Sequence, residues 1–304
     1  MYNFCSIRSV NYIHYTISLI RNLSNEKINI LCLDRFSYNF FLKKNNKNLR
    51  IFCLKDLESE VNINTIKSNR TGLEFIFTIK PIFLYFIFKK IRSNSKLIYL
   101  DADIYFFKSV NYLKKALGLN SIFLTEHNFS EKNKDKEIFG KYNAGFLAFK
   151  KDLNGLEALK WWRKKCIYRC QFKATKHYFA DQKYLNIFPK KFKKVEVLNK
   201  NIFNIAPWNL ENLKKNNQNL IQLKIIFFHF QGLRFITNNI IQLGFSDYYL
   251  KDKRFITKIY NFYCLRLKKI IIKNNLTINI SFFQRIRLII RGLLKKDLLL
   301  LRIN

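Results

Sequence analysis

Three features predict an α/β fold with a mostly parallel central sheet flanked by helices. Short apolar runs alternate with segments of helical period along the N-terminal part of the chain. One of those runs delivers a pair of carboxylates at its end, the place where open α/β sheets bind ligands. The 304 residues are 49% hydrophobic and 16% aromatic, which suffices for a buried core and excludes a disordered chain. With 8 Gly and 3 Pro, collagen-like and linker-like sequences are excluded as well.

Residues 2–7 (YNFCSI) read as the first strand, and 11–23 place apolar side chains at 13, 17, 20 and 23, a helical period. INILCL (28–33) is a second, buried strand, and Asp34 follows as the N-cap of a helix through Phe40 and Phe41. LRIFCL (49–54) is the third strand. A helical stretch starts at Thr71. Pro81 is expected to open a new helix, because proline suits a first turn and breaks an interior. KLIYL (96–100) is the fourth strand, followed by SIFLTE (121–126) and AGFLAFK (144–150), with EKNKDKE (131–137) expected as a surface loop between them. A long helix over 151–172 carries Trp161 and Trp162 as packing residues, and a short helix spans 181–188. KVEVL (194–198) and IIFFHF (225–230) are the later strands.

From about residue 245 the chain becomes basic and Leu/Ile-rich, which divides it into 1–245 and a basic, amphipathic helical region, 246–304. In 254–273, Ile256, Ile259, Tyr260, Tyr263, Leu267 and Ile270 recur at helical spacing, as expected of a helix packed on the sheet. The segment 282–303, with its LLLL run and flanking charges, is expected to be a helix lying on an anionic membrane surface.

The chain has 56 Lys+Arg against 20 Asp+Glu, a net charge of +36. Two sources are open: selection for an anionic partner, and codon bias, since Lys, Asn, Ile, Phe and Tyr all have AT-rich codons. Either way, the positive field favours anionic ligands such as nucleotides. The 6 Cys form no CxxC and no paired framework, which points to a reducing, cytoplasmic compartment. Cys166 and Cys170 are the one close pair, on the expected long helix. The N-terminus lacks a signal-peptide core, and the apolar run 75–88 is interrupted by Lys80 and Pro81 and too short to span a bilayer. No integral membrane segment is expected.

The strongest local signal is LIYLDADIYFF (97–107). In an extended segment, positions two apart point the same way, so Asp101 and Asp103 can converge on one cation, and hard oxygen ligands suit Mn²⁺ or Mg²⁺. Such an ion can bridge phosphate oxygens and stabilise a departing diphosphate. The alternative is a turn carrying two solvated aspartates.

The motif has company. Asn11-Tyr12 follows the first strand, and Asn69-Arg70 precedes a helix. After YLDADIYFF come GKYNAGFLAFKKD (140–152), ADQKYLN (180–186), NIAPWNL (204–210) and FHFQGL (228–233). In this order and spacing, over roughly 2–235, the chain resembles the GT-A glycosyltransferases, with their Rossmann-like sheet, and is similar to glycosyltransferase family 8. The resemblance implies that Asp101, Asp103 and His229 bind the metal. Asp101 and Asp103 also contact the diphosphate or ribose of a nucleotide sugar, and Arg70 stands near the diphosphate. It implies that Asn143 and Asp181 contact the donor sugar and that Gln182 faces the anomeric carbon, Asp181 and Gln182 forming the catalytic pair. Asn11, Tyr12 and Arg234 fall in donor-binding segments. Other readings remain for single residues: a core histidine for His229, an N-cap for Asp181, a strand-edge turn for Asn143, a surface arginine for Arg70, and either sugar stacking or loop packing for Trp208.

The sequence departs from the family pattern where Arg8, Ser9 and Val10 stand in place of an acidic residue for the base, and where Arg234 stands in place of a phosphate-binding lysine. The expected activity is metal-dependent transfer of a hexose from a nucleotide diphosphate sugar to an acceptor hydroxyl on a lipid-linked or surface glycan, with retention. The expected place is cytoplasmic, peripheral to the inner membrane face. The alternative is a basic polyanion or nucleic-acid-binding module on a degenerate transferase fold, which leaves Asp101, Asp103 and His229 without a task, so nucleic acid is not the expected partner. A nucleotidyltransferase is disfavoured because no Gly-rich basic phosphate loop lies near residue 10.

Overall fold

The computed structural model describes residues 1–214, 225–251, 253–278 and 280–301. The apolar runs become strands because sheet neighbours and covering helices bury both of their faces. In chain order, β1 (Tyr2–Arg8), α1 (Ile13–Leu23), β2 (Lys27–Cys32), α2 (Arg35–Leu42) and β3 (Leu49–Cys53) alternate as expected. α3 (Ile63–Ser68) and α4 (Gly72–Lys90) lead to β4 (Lys96–Leu100), the short β5 (Ile104–Phe106), α5 (Val110–Ala116), β6 (Ile122–Glu126) and β7 (Tyr142–Lys150). Next come α6 (Leu153–Tyr168), α7 (Phe188–Lys191), β8 (Val195–Val197), α8 (Leu210–Lys214), β9 (Phe227–His229), β10 (Arg234–Phe235) and β11 (Ile240–Gln242). α9 (Lys253–Lys273), α10 (Phe282–Leu294) and β12 (Leu298–Leu300) complete the described chain.

The seven-stranded central sheet has the order β3-β2-β1-β4-β7-β6-β8. β7 runs antiparallel to both of its neighbours, and the remaining pairings are parallel. From β1 the chain moves outward to β2 and β3, then returns to place β4 on the other side of β1. That reversal opens a crevice at the carboxyl ends of β1 and β4. Asn11 and Tyr12 leave β1 at this edge, and Asp101 leaves β4 at the same edge.

Alternation along the strands splits the core in two. Phe4, Ile98 and Leu100 face α1 and α9, while Cys5, Leu97 and Tyr99 face α4 and α6. The aromatic face of α9 lies in the first of these cores, with Ile256, Ile259, Tyr260, Tyr263 and Leu267 among its members, and Ile270 is buried as well, as their spacing predicts. The region after residue 246 therefore shares a core with the sheet.

Local signals hold where capping decides. The Asp34 carboxylate accepts from the amide of Ser37 at the start of α2 and from that of Val10, which ties the β1 exit loop to the β2 exit loop. Thr71 and Glu74 form a capping box on α4. Four expectations need correction. Pro81 lies inside α4, which runs unbroken from Gly72 to Lys90. An interior proline costs about 3 kcal/mol. Burial of Ile79, Ile82, Phe83 and Phe86 against the sheet, at roughly 1.5–3 kcal/mol each, outweighs it. α6 ends at Tyr168, so Cys170 lies beyond the helix that carries Cys166. The polar run at 131–137 is a 3-10 stretch, Glu131–Phe139, anchored by buried Asn133, whose Oδ1 accepts from the Tyr249 amide. The segment 282–303 is not one helix.

That last correction has a local cause. α10 stops at Leu294, Lys296 takes a left-handed φ of 50°, and Leu298–Leu300 pair with β11, which in turn pairs with β10. Buried Asp297 fixes the turn by accepting from the Gly244 amide and the Ser246 hydroxyl. A four-residue apolar run is as much a strand signal as a helix signal, and pairing decided it. Residues 302–303 lie outside the described residues.

Gly292 is where α10 crosses β12. A Cβ there would stand 2.3 Å from Leu298 Cδ2 and 2.6 Å from its Cγ. In an exposed helix, Gly→Ala gains about 1 kcal/mol. Gly292→Ala is instead predicted to destabilise by about 1–3 kcal/mol through overpacking. The urea midpoint decides the sign, and a stabilised variant would refute the crossing.

Candidate active site

The carboxyl ends of β4 and β9 converge. β5 pairs antiparallel with β9, Ile104 opposite His229 and Phe106 opposite Phe227. The Phe230 amide donates to the Asp103 carbonyl at 2.8 Å. His229 Nε2 thereby lies 3.2 Å from Asp103 Oδ1 and 3.8 Å from Asp101 Oδ2. One ligand atom from each of the three residues lies within 4.8 Å of the others. His229 is 3% exposed and stands edge-on to Trp208 at 5.4 Å between ring centroids. Burial works against a charged imidazole, but Asp103 and Asp101 outweigh it and hold His229 above its ordinary 6.5. The ring needs the missing side chain of Gly145: a Cβ there would meet His229 Cε1 at 2.5 Å and Asn143 Oδ1 at 2.7 Å. Two carboxylates and an imidazole at this spacing fit Mn²⁺ or Mg²⁺.

A second charge cluster adjoins the first. Lys80, buried in the middle of α4, places Nζ 2.9 Å from Asp181 Oδ2 and 3.9 Å from Asp101 Oδ1, and donates to the Ala144 carbonyl at 3.2 Å. The ammonium also lies over the Tyr99 ring, whose hydroxyl donates to Asp101 Oδ1 at 2.7 Å. Burial disfavours the charge on Lys80, yet the two carboxylates hold its pKa above 10.5. Burial likewise raises Asp181, and the attraction of Lys80 offsets this only in part. Asp181 is therefore an ion-pair partner and not an N-cap. Its carbonyl accepts from Trp162 Nε1 at 2.8 Å, and Ala180 before it takes a left-handed φ of 47° that an alanine adopts at a cost of about 1–2 kcal/mol.

Asn143 joins these clusters. Its Oδ1 accepts from the Gly145 amide at 2.9 Å, and its Nδ2 lies 3.0 Å from His127 Nε2 and 3.4 Å from Gln182 Oε1. Gln182 Oε1 also accepts from the Ala144 amide, and its Nε2 donates to the Phe139 carbonyl. Burial lowers His127 from 6.5 to about 3, so it is a neutral member of the network. Trp208 is fully buried, packed against His127 and His229. It backs the His229 ring inside the core, which settles the choice between packing and sugar stacking in favour of packing.

Asn11, Tyr12 and Arg234 share a cavity of about 370 Å³ with Tyr15 and with residues of α10. The cavity adjoins the carboxylate cluster: the Tyr15 hydroxyl donates to the Leu233 carbonyl, Leu233 donates to Phe230, and Phe230 donates to Asp103. Arg70 is engaged elsewhere. Its guanidinium donates to the carbonyls of Asn69, Ile167 and Tyr168, capping the end of α6. The structure thus gathers Asp101, Asp103, His229, Asn143, Asp181 and Gln182, brings Asn11, Tyr12 and Arg234 together beside them, and commits Arg70 to a helix terminus.

Sequence reasoning missed Lys80 and His127. Lys80 had a readable signal: a lone lysine amid 75–88, a run otherwise apolar enough to be buried, demands an acidic partner. His127 follows directly on the strand 121–126 and carried no such mark.

No family model matches the chain. In sequence it is similar to two proteins of Bacillus subtilis (strain 168). Uncharacterized protein YfnF is 26% identical over 250 residues, 77% of this chain and 82% of YfnF, and uncharacterized protein YfnD is 27% identical over 247 residues, 78% and 79% of the two chains. Among solved structures, the galactosyltransferase LgtC in complex with donor and acceptor sugar analogs matches with a TM-score of 0.51 at 14% identity, over 93% of this chain and 99% of LgtC. The chain resembles GT-A glycosyltransferases in its fold, as its motifs imply.

Because Lys80 is the cation that Asp181 faces, Lys80→Met is predicted to cost about 3–5 kcal/mol in urea unfolding by stranding a buried carboxylate. The double variant Lys80→Met/Asp181→Leu should recover most of that loss. Additive losses would show that the two residues do not act as a pair.

Proposed function

We propose that the chain is a metal-dependent glycosyltransferase that moves a hexose from a nucleotide diphosphate sugar to an acceptor hydroxyl. The observation that carries this reading is the meeting of Asp101, Asp103 and His229 at the sheet reversal, beside a cavity lined by Asn11, Tyr12 and Arg234. In this reading Asp101, Asp103 and His229 hold Mn²⁺ or Mg²⁺, which when bound neutralises the leaving diphosphate. Asn11 and Tyr12 bind the nucleotide and Arg234 its phosphates. Asn143, Asp181 and Gln182 bound the sugar. Lys80 compensates Asp101 and Asp181, so that several carboxylates can surround one small volume without the donor present.

The resemblance to family 8 favours retention of configuration. Asp181 is 1% exposed and ion-paired with Lys80, a poor state for a nucleophile. This supports an oxocarbenium-like transition state without a firm covalent step. The Gln182 amide, fixed by Ala144 and Phe139, is the dipole placed to stabilise the developing positive centre.

The acceptor in this reading is a lipid-linked or surface-glycan precursor, reached by a peripheral protein on the cytoplasmic membrane face. Support comes from α10, where Phe283, Ile286, Ile290 and Leu294 are exposed along one stripe with Arg291 and Lys295 beside them. Among the described residues no helix is long and apolar enough to cross a membrane.

The direct test is a donor-hydrolysis screen across nucleotide sugars with Mn²⁺, in which release of free nucleoside diphosphate from one donor identifies the reaction. Asp103→Asn and chelation by EDTA are each predicted to lower that rate by at least about 100-fold, with the urea midpoint of Asp103→Asn nearly unchanged. Full activity in EDTA would exclude the metal role. For the membrane, Phe283→Ser/Leu294→Ser should remove co-sedimentation with anionic vesicles at low salt and leave donor hydrolysis intact. Equal sedimentation of variant and parent on vesicles would refute the docking face.

A further inference from the structure

The cavity holding Asn11, Tyr12 and Arg234 has a wall that lies far along the chain. α10 supplies Gln284, Arg287 and Arg291 to its lining, at i, i+3 and i+7, one helix face. The apolar stripe of Phe283, Ile286, Ile290 and Leu294 occupies the neighbouring face, and Arg287 and Arg291 stand between that stripe and the cavity, bordering both.

The charges of this lining are unbalanced. Arg291 is compensated by Asp247, 2.9 Å away. Among the described residues, Arg234 and Arg287 have no ion-pair partner and no acidic side chain lines the cavity. Two guanidiniums facing one concave volume repel each other, and an anion bound between them reverses the sign of that interaction. A guanidinium presents a planar fork matched to phosphate oxygens. The cavity also lies within a short hydrogen-bonded path of Asp103, where the diphosphate of a donor must end.

We propose that α10 is part of the donor site and that Arg287 binds the diphosphate of the nucleotide together with Arg234. This rests on the glycosyltransferase reading above and extends it to a residue outside the segments that resemble the family. α10 is held at the cavity by two devices already described: the Gly292 crossing over Leu298, and the pairing of β12 with β11, whose other neighbour β10 carries Arg234. Both guanidiniums are therefore mounted on one small sheet and the helix packed on it.

The test is equilibrium binding of UDP, GDP, ADP and CDP, each with Mn²⁺, to the full chain, alongside the matching free nucleoside. The parent is expected to bind at least one nucleoside diphosphate. Arg287→Ala should weaken that diphosphate about 10–100-fold, the range set by loss of a charge-assisted hydrogen bond. It should leave the nucleoside unchanged. Arg287→Lys keeps the charge without the fork and should fall between, which guards against a folding defect in the alanine variant. Lys269→Ala removes the same charge from an exposed position on α9 and should leave binding unchanged. Equal affinity in parent and Arg287→Ala overturns this inference alone, as does equal weakening by Lys269→Ala. No binding of any nucleoside diphosphate by the parent overturns both this inference and the transferase reading.

Discussion

The antiparallel ladder between β5 and β9 sets His229 opposite Ile104 and so brings its imidazole 3.2 Å from Asp103. Asp101 and Asp103 are fixed by one strand end, but the third member of the cluster, His229, comes from a segment remote in sequence, and backbone pairing aligns it. Much of the surrounding structure serves that pairing. Ile205 bridges Phe228 from the far side and accepts from the His229 amide. Beneath, α9 presents Tyr260 and Tyr263 to Phe228 and Phe230, with the Phe230 and Tyr263 rings stacked at 4.2 Å. Each such aromatic contact contributes about 0.5–1.5 kcal/mol beyond its burial. α9 is thus the support on which a two-stranded ribbon, marginal by itself, becomes stiff.

The second constraint is electrostatic. Asp101, Asp103 and Asp181 lie around one small volume, two of them touching Lys80 and two touching His229. Bare carboxylates so placed would raise one another's pKa and take up protons. An ammonium at 3% exposure, charged because carboxylates surround it, offsets part of that repulsion from the inside of the sheet. Tyr99 serves both halves, carrying Lys80 over its ring and donating its hydroxyl to Asp101. The strand LIYL therefore contributes to the site with a residue inside the core as well as with the carboxylates that follow it.

What was legible in the sequence was local. Strand and helix alternation, the Asp34 cap, the carboxylates after KLIYL and the packing face of 254–273 all follow from neighbours a few residues apart. His229 and the 180–182 segment were legible only through resemblance, because nothing local distinguishes a ligand histidine from a core one. Tertiary contacts hid the rest. Pro81 stays helical because its helix is buried. The leucines at 298–301 pair with a strand that has only a few residues to announce it. Arg70, read as a phosphate contact, finds the carbonyls at the end of α6 instead. Lys80 was visible as an interruption and is in fact the counter-ion of the site.

The three-stranded sheet β10-β11-β12 joins the loop after His229 to residues near the end of the described chain. Synthesis runs from the amino end, so the edge beside Arg234 can be completed only after residue 300 has been made. The carboxylates of Asp101 and Asp103, by contrast, follow a strand finished much earlier. The site therefore matures in stages, and a polypeptide still being translated carries its acidic cluster for some time before the wall above it exists. Completion of the cavity arrives late in biogenesis, set by the order of translation and not by the order of parts in space.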